Sequence, residues 1–315
     1  MGYVAGVGAA NADLIGRGRA PLVMRDSNPG FFEMTPGGVT RNILENLARL
    51  GVDARLVSAV GQDAFGESIL AATASAGVDV SRVLRAKNAQ TSAYCAILEP
   101  DGEMRLALSD MRILDRLNYE ALLPHRALLS GADAVVLDPS LPEYAIDAVL
   151  ELSGPAPVFA DPVSTAYAKK LAPRLGRFHT LKPNRMELEI LSGRAVTDEA
   201  SLRAGAEALL RSGCRQVFVT LGPDGCAFAD AQGKYLRRRL PPAKRMANAT
   251  GAGDAFTAAA LFGFVTNRPP EETLSLALAA GLAAVRSEET VCPDMSLALL
   301  ERILTESQGC DNFVR

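Results

Sequence analysis

The chain has 315 residues, 48% of them hydrophobic and 22% charged, with a formal net charge of -3. These values exclude a disordered or collagen-like chain and leave a soluble protein with one large domain, alone or with a smaller one. They provide no polybasic surface for nucleic acid, and no run of about 18 apolar residues is present to cross a membrane.

Along the chain, short β-rich runs alternate with longer helical patterns. YVAGVGA (3–9), RLVSAVG (55–61), AVVLD (134–138), PVFAD (157–161) and QVFVTLG (216–222) read as strands. TRNILENLARL (40–50), AFGESILAATASAG (64–77), EYAIDAVLELS (143–153) and EASLRAGAEALLRSG (199–213) read as helices between them. The alternation predicts an α/β fold, a mostly parallel central sheet with helices on both faces. Two stretches interrupt it. Residues 14–35 mix Gly, Pro and β-formers, and TSAYCAILEPDGEMRLALS (91–109) reads as strand, PDG turn, strand. They predict a small antiparallel β lid, 14–35 and 89–112, inserted into a main domain of 1–13, 36–88 and 113–315.

The first residues, MGYVAGVGAANADLIGRGR, have no basic region before the apolar stretch and carry Asn11 and Asp13, so no secretory signal is expected. Cys95, Cys214, Cys226, Cys292 and Cys310 are far apart and show no CxxC spacing. They read as reduced thiols of a cytoplasmic protein.

GVGAAN (6–11) has two glycines of a dinucleotide fingerprint, but Asn11 stands where the third belongs, so no Rossmann cofactor site is expected. Asp13 lies just past the first strand, where ligands of α/β sheets bind. It is either a solvated loop residue or an acceptor for a sugar diol. In TPGGVTRNILENLARLG (35–51), Gly37 and Gly38 allow close backbone approach, Asn42 lies one helical turn past Gly38, and Ile43, Leu44, Leu47 and Leu50 form a buried face.

In TLKPNRMELEILSG (180–193), Asn184 and Glu187 share a helix face after Pro183. They form a capping box or hold Mg²⁺ through water beside phosphates. TLGPDGCAFAD (220–230) reads as strand, turn, strand. NATGAGDAF (248–256) sets Gly251, Ala252, Gly253 and Asp254 at the mouth of an apolar helix. This is a tight turn with a dipole-favoured Asp, or a set of bare N–H groups for an anion with a carboxylate beside it to take a proton. His125 and His179 join no nucleophile or metal motif and read as structural, and no P-loop, GxSxG or HExxH occurs.

Asp13, PGGVTRN (36–42), VGQDAFG (60–66), KPNRMELE (182–189), TLGPDG (220–225) and NATGAGDAF together resemble the ribokinase (PfkB-type) family of sugar and nucleoside kinases, over nearly the whole chain. The resemblance implies a ribokinase-like domain, a β lid that also serves as a dimer surface, and phosphorylation of a primary hydroxyl with ATP and Mg²⁺. DSNPG (26–30), GEMRLALSDM (102–111), FADPVS (159–164) and VCPDMS (291–296) are similar to the pseudouridine kinases of that family. They imply transfer to the 5′-hydroxyl of pseudouridine. Another ribonucleoside, ribose, or a catalytically inactive nucleoside-binding regulator are the alternatives.

By the same resemblance, Asp254 is the base, and the N–H groups of Gly251, Ala252 and Gly253 hold the transferred phosphoryl group. Asp13, Gly37, Gly38 and Asn42 bind the ribose, and Asn28, Thr91 and Asp110, with Asp26 near them, face the nucleoside from the lid. Thr220, Gly222, Gly225 and Asn184 line the nucleotide, and Glu187 and Asn184 hold Mg²⁺ through water. Asn248 stands six residues before Asp254, where K⁺-binding members have Asp, so K⁺ activation is not implied.

Overall fold

The computed structural model describes residues 2–243 and 250–307. Among them, one large sheet runs in the order Tyr235–Arg238, Cys226–Asp230, Gln216–Thr220, Thr180–Leu181, Val158–Ala160, Ala134–Leu137, Tyr3–Val7, Asp53–Val57, Val78–Asp79. Every pairing from Gln216–Thr220 to Val78–Asp79 is parallel, and the other two strands add antiparallel at one edge.

Alternate residues of each strand enter opposite core layers, as the two-residue side-chain period requires. Ala5, Val7, Val135, Leu137, Val217 and Val219 pack on one face, and Val4, Ala134, Val136, Phe218 and Phe228 on the other. Both faces are therefore apolar, which is why the strands read as continuous hydrophobic runs. Each fully buried Val, Leu or Phe contributes roughly 1.5–3 kcal/mol.

The second layer is centred on helix Ala252–Val265, which packs against Val39–Arg49 and Pro270–Arg286. Small residues permit this approach. Ala258, Ala259, Ala277 and Ala280 are fully buried, and a Cβ on Gly263 would lie 2.4 Å from Thr273 Oγ1.

A smaller sheet has the order Gly30–Gly37, Asn11–Gly18, Ala93–Leu98, Met104–Asp110. Its outer pairs are antiparallel, but the middle pair, Asn11–Gly18 with Ala93–Leu98, is parallel. This corrects the wholly antiparallel arrangement expected from the sequence: two separate hairpins leave the main sheet and lie side by side in the same direction. Asp13 sits within this smaller sheet, paired with Thr35 and Tyr94. The run 55–61 also divides at Ser58, whose hydroxyl donates to Gly8 O at 2.6 Å. Asp53–Val57 stays in the large sheet, and Ala59–Gly61 pairs with Leu84–Ala86.

Candidate active site

Helix Ala252–Val265 starts without a side-chain cap, and its first bond runs from Ala255 N–H to Gly251 O at 2.9 Å. The N–H groups of Ala252, Gly253 and Asp254 thus have no partner inside the helix, and the helix dipole adds positive charge around them. Gly251 has φ 83°, and a Cβ there would lie 2.0 Å from Thr290 O, so no other residue fits.

Asp254, in the first turn, is buried, and its Oδ2 accepts a hydrogen bond from Asn42 Nδ2 at 2.7 Å. Arg41 orients that amide. Its guanidinium donates to Asn42 Oδ1, to Gly37 O at 3.1 Å and to Glu45, which turns Asn42 Nδ2 toward Asp254. Burial, with Asp161 adding its charge, pushes the Asp254 carboxyl up to about 7 against the opposing pull of Asn42 and Lys182. A carboxylate with one oxygen held and its proton affinity lifted to neutrality is suited to general-base work.

Asp13 is the next carboxylate along this wall. Burial lifts it to about 6, opposed by a 2.6 Å hydrogen bond from Asn11 Nδ2 and by the Arg41 charge. Gly37 is dictated by Asp13, because a Cβ there would lie 2.3 Å from its Cγ. Gly38 is dictated by backbone, with φ 104° and Ala9 O at 2.3 Å from a Cβ. Asp13, Gly37, Gly38, Arg41 and Asn42 therefore form a continuous wall that ends at Asp254.

Three parallel strands deliver charge to the same edge of the sheet. Asp138 follows Leu137, Asp161 follows Ala160 and Lys182 follows Leu181. This edge, at the carboxyl ends of the strands, is where open α/β sheets bind ligands. Asp138 Oδ2 accepts from Ala9 N, Thr40 N and Thr40 Oγ1, and so ties the first strand to helix Val39–Arg49. Lys182 Nζ lies 2.7 Å from Asp161 Oδ2. Burial pulls the ammonium down, yet Asp161 outweighs it and the Lys182 pKa is raised.

Asn184 and Glu187 form the capping box. Asn184 Oδ1 accepts from Glu187 N at 2.9 Å, and Glu187 Oε2 accepts from Asn184 N at 2.8 Å. Glu187 is buried, which raises its pKa. Beside the helix mouth opens a cavity of about 500 Å³. Its floor is Thr220, Gly222, Gly225, Ala252 and Gly253, and its walls are apolar, among them Leu240, Pro241, Phe256 and Leu282. That volume and lining suit a flat ring system with a charged tail.

A profile of the pfkB family carbohydrate kinase matches residues 1–295. The chain belongs to that family. As a pfkB-family kinase it is a phosphotransferase with an alcohol group as acceptor. It is 38% identical to the pseudouridine kinase of Escherichia coli (strain K12) over 98% of both chains. It is also 34% identical to the uncharacterized sugar kinase YeiI of the same organism, covering 96% of this chain and 84% of YeiI. The Arabidopsis thaliana ribokinase, solved with ribose and ATP, superposes with a TM-score of 0.82 at 24% identity over 96% of this chain and 98% of that one, and shows a shared ribokinase-like fold.

The fold brings together Asp13, Gly37, Gly38, Asn42, Gly251, Ala252, Gly253 and Asp254, and places Thr220, Gly222 and Gly225 around the cavity. Asn28, Thr91 and Asp110, expected to face the nucleoside, have local partners. Asn28 Nδ2 donates to Val23 O and Asp26 O, and Asp110 is half-buried and paired with Arg112. Thr91 is buried, donates to Asp63 Oδ1 at 2.6 Å and accepts from Gly61 N. Asn248 and Cys310 lie outside the described residues.

Arg41, Asp161 and Lys182 were not singled out from the sequence, although their motifs were. For Asp161 and Lys182 the available signal was a charged residue directly after an apolar strand, where burial without a partner would be too costly; Arg41, at a helix start, gave none.

Proposed function

We propose that this chain transfers the γ-phosphoryl group of ATP to the 5′-hydroxyl of pseudouridine, giving pseudouridine 5′-phosphate and ADP. The Asn42–Asp254 hydrogen bond carries the reading. It sets an ionisable carboxylate between the wall that would hold a sugar and the bare helix mouth that would hold a phosphate. With Oδ2 held by Asn42, Oδ1 takes the proton of the attacking hydroxyl. The N–H groups of Gly251, Ala252 and Gly253 receive the charge on the transferred phosphoryl oxygens, each such donor contributing about 3–4 kcal/mol by analogy with oxyanion holes. Asp13 accepts from the ribose hydroxyls, and the apolar cavity takes the adenine.

Mg²⁺ fits as a hydrated ion. Among the described residues no group of three or more His, Cys, Asp or Glu side chains could chelate a metal, and the capping box leaves Glu187 Oε1 for a metal-bound water. Such an ion, when bound, supplies positive charge to the phosphates; Asn184 and Glu187 would orient its water shell.

The smaller sheet would close over the nucleoside and exclude water as a competing acceptor. Closure would have to free Asp26, Asn28 or Asp110 from their local partners to accept from the base. The exposed apolar side of this sheet, with Phe32 70% and Leu108 71% accessible, fits a second copy of the chain. The free thiols of Cys95, Cys214, Cys226 and Cys292 suit a cytoplasmic enzyme.

Similarity to the Escherichia coli pseudouridine kinase supports the nucleoside, whereas similarity to YeiI supports a second reading, a sugar as acceptor. ADP release with MgATP and pseudouridine, uridine, N1-methylpseudouridine or ribose separates them. Pseudouridine is expected to have the highest kcat/KM and its N1-methyl form the lowest, because the methyl group removes the N1–H donor that the base site would pair. Preference for ribose would transfer the assignment to a sugar kinase.

A further inference from the structure

We infer that Lys182 is a positioning residue for the transfer step: its buried ammonium, fixed by Asp161 against Gly253, favours the carboxylate form of Asp254. The inference rests on the assignment of Asp254 as base.

The ammonium is held through Asp161, itself fixed on several sides. Its side chain is 8% exposed and that of Asp161 4%. Asp161 Oδ2 accepts from Lys182 Nζ and also from Thr257 Oγ1 at 3.1 Å. Thr257 lies one turn beyond Gly253 on the helix that carries Asp254, and its hydroxyl also reaches Gly253 O at 3.0 Å. Asp161 Oδ1 accepts from Val163 N at 3.1 Å. Val163 has φ 66°, a conformation a β-branched residue rarely adopts, and the Asp161 bond helps to hold it there. The loop after the strand is thus fixed so that Asp161 faces Lys182.

Gly253 gives an independent observation. It is not in the left-handed region, and the nearest atom to a Cβ on it, apart from its chain neighbours and its own helix, is Lys182 Nζ at 3.0 Å. The ammonium occupies the space a side chain would need. It therefore lies beside the backbone that would receive the phosphoryl group.

The charges around Asp254 complete the argument. Asp138 and Asp161 come from the strand ends, and Asn42 comes from helix Val39–Arg49 with Arg41 and Glu45 behind it. Lys182, itself under the charge of Glu187, supplies the cation that acts on Asp254. Two neighbouring carboxylates favour a proton on Asp254, and one ammonium opposes it. An opposite charge within about 4–6 Å typically moves a carboxylate by about 1–3 pH units.

The test is Lys182→Met, which is one atom shorter and removes the charge. In the ligand-free protein, carbon-13 NMR of the Asp254 carboxyl, identified by its loss in Asp254→Asn, is expected to titrate at least about one unit higher. With the preferred acceptor, kcat at pH 7 should fall about fivefold or more and recover as pH rises, while both KM values change less than about threefold. Asp161→Asn should move the Asp254 titration the other way, since it removes a negative neighbour. A merely structural pair would move both variants alike or neither. An unchanged Asp254 titration in folded Lys182→Met would overturn the inference, and so would an unchanged titration in Lys182→Gln should the methionine variant not fold. Failure of the kinase reading is distinguishable, because it would show as no ADP release by the wild type and would leave the NMR comparison intact.

Discussion

Asn42 and Asp254 are separated by 212 positions in sequence and by 2.7 Å between Nδ2 and Oδ2 in the fold. That bond joins helix Val39–Arg49 to the mouth of Ala252–Val265 and so fixes the spacing between the two halves of the site. Asp254→Asn should keep it, since an amide oxygen also accepts from Asn42, but cannot take a proton. The expected loss in kcat is on the order of 100- to 10,000-fold with acceptor affinity kept. Near wild-type turnover in the folded variant would remove Asp254 from the role of base. For the wild type, kcat should rise with pH through the lifted Asp254 value of about 7. In stability the sign is opposite: a carboxyl lifted by folding makes the protein lose stability as pH rises from the unfolded value through the folded one. Asp254→Asn should therefore raise Tm relative to wild type at pH 8 and lose that advantage below pH 4.

Asp13 and Gly37 allow a double-mutant test. Asp13, lifted from 3.8 to about 6, makes the fold less stable above pH 6 by at most about 3 kcal/mol. Asp13→Asn should thus unfold at higher temperature than wild type at pH 7.5 while its acceptor KM rises at least about tenfold, a charge-assisted hydrogen bond being lost. Gly37→Ala should also raise KM, because its methyl group would displace the carboxylate. In an Asp13→Ala background the same change should cost little. Additive effects in the cycle would show that Gly37 is constrained by something other than Asp13.

The alternating pattern was legible because both faces of each central strand are buried, so adjacent residues such as Ala134 and Val135 serve opposite layers and the run stays apolar. Taken alone, NATGAGDAF leaves a plain turn and an anion site equally open, because glycines before an apolar helix serve both, and only the company of the other motifs favours the second. Lys182, Asp161 and Arg41 were not legible, because a single charged residue after a strand or at a helix start is ambiguous until the topology sets its partner beside it. The parallel middle pair of the smaller sheet was hidden for a related reason: its register depends on where two distant hairpins leave the main sheet, not on either hairpin's own sequence.

Glu187→Gln separates the two readings of that residue. A glutamine oxygen can still accept from Asn184 N, so the capping box and the thermal stability should stay within about 1 kcal/mol of wild type. The lost charge should raise the Mg²⁺ concentration needed for half-maximal rate by about tenfold. A Mg²⁺ titration that overlays the wild type would leave Glu187 as a cap alone.

Gly251 and Gly253 are two positions apart and should fail in different ways. Gly251→Ala puts a Cβ 2.0 Å from Thr290 O on a backbone already at φ 83°, and neither the carbonyl nor the backbone angle can yield cheaply. Its cost should appear as stability, about 1–3 kcal/mol or more, read as a fall in Tm along with lost activity. Gly253→Ala meets only the end of a flexible side chain, Lys182 Nζ at 3.0 Å. The fold should hold, with Tm close to wild type, while the new methyl group pushes the ammonium aside and kcat falls. Shortening that side chain then supplies the decisive comparison. In Lys182→Ala the space beside residue 253 is empty, so adding Gly253→Ala should cost little beyond the loss already caused by the lysine variant. If Gly253→Ala instead lowers kcat by the same factor in both backgrounds, the glycine is required by the phosphate side of the helix mouth and not by the ammonium beside it.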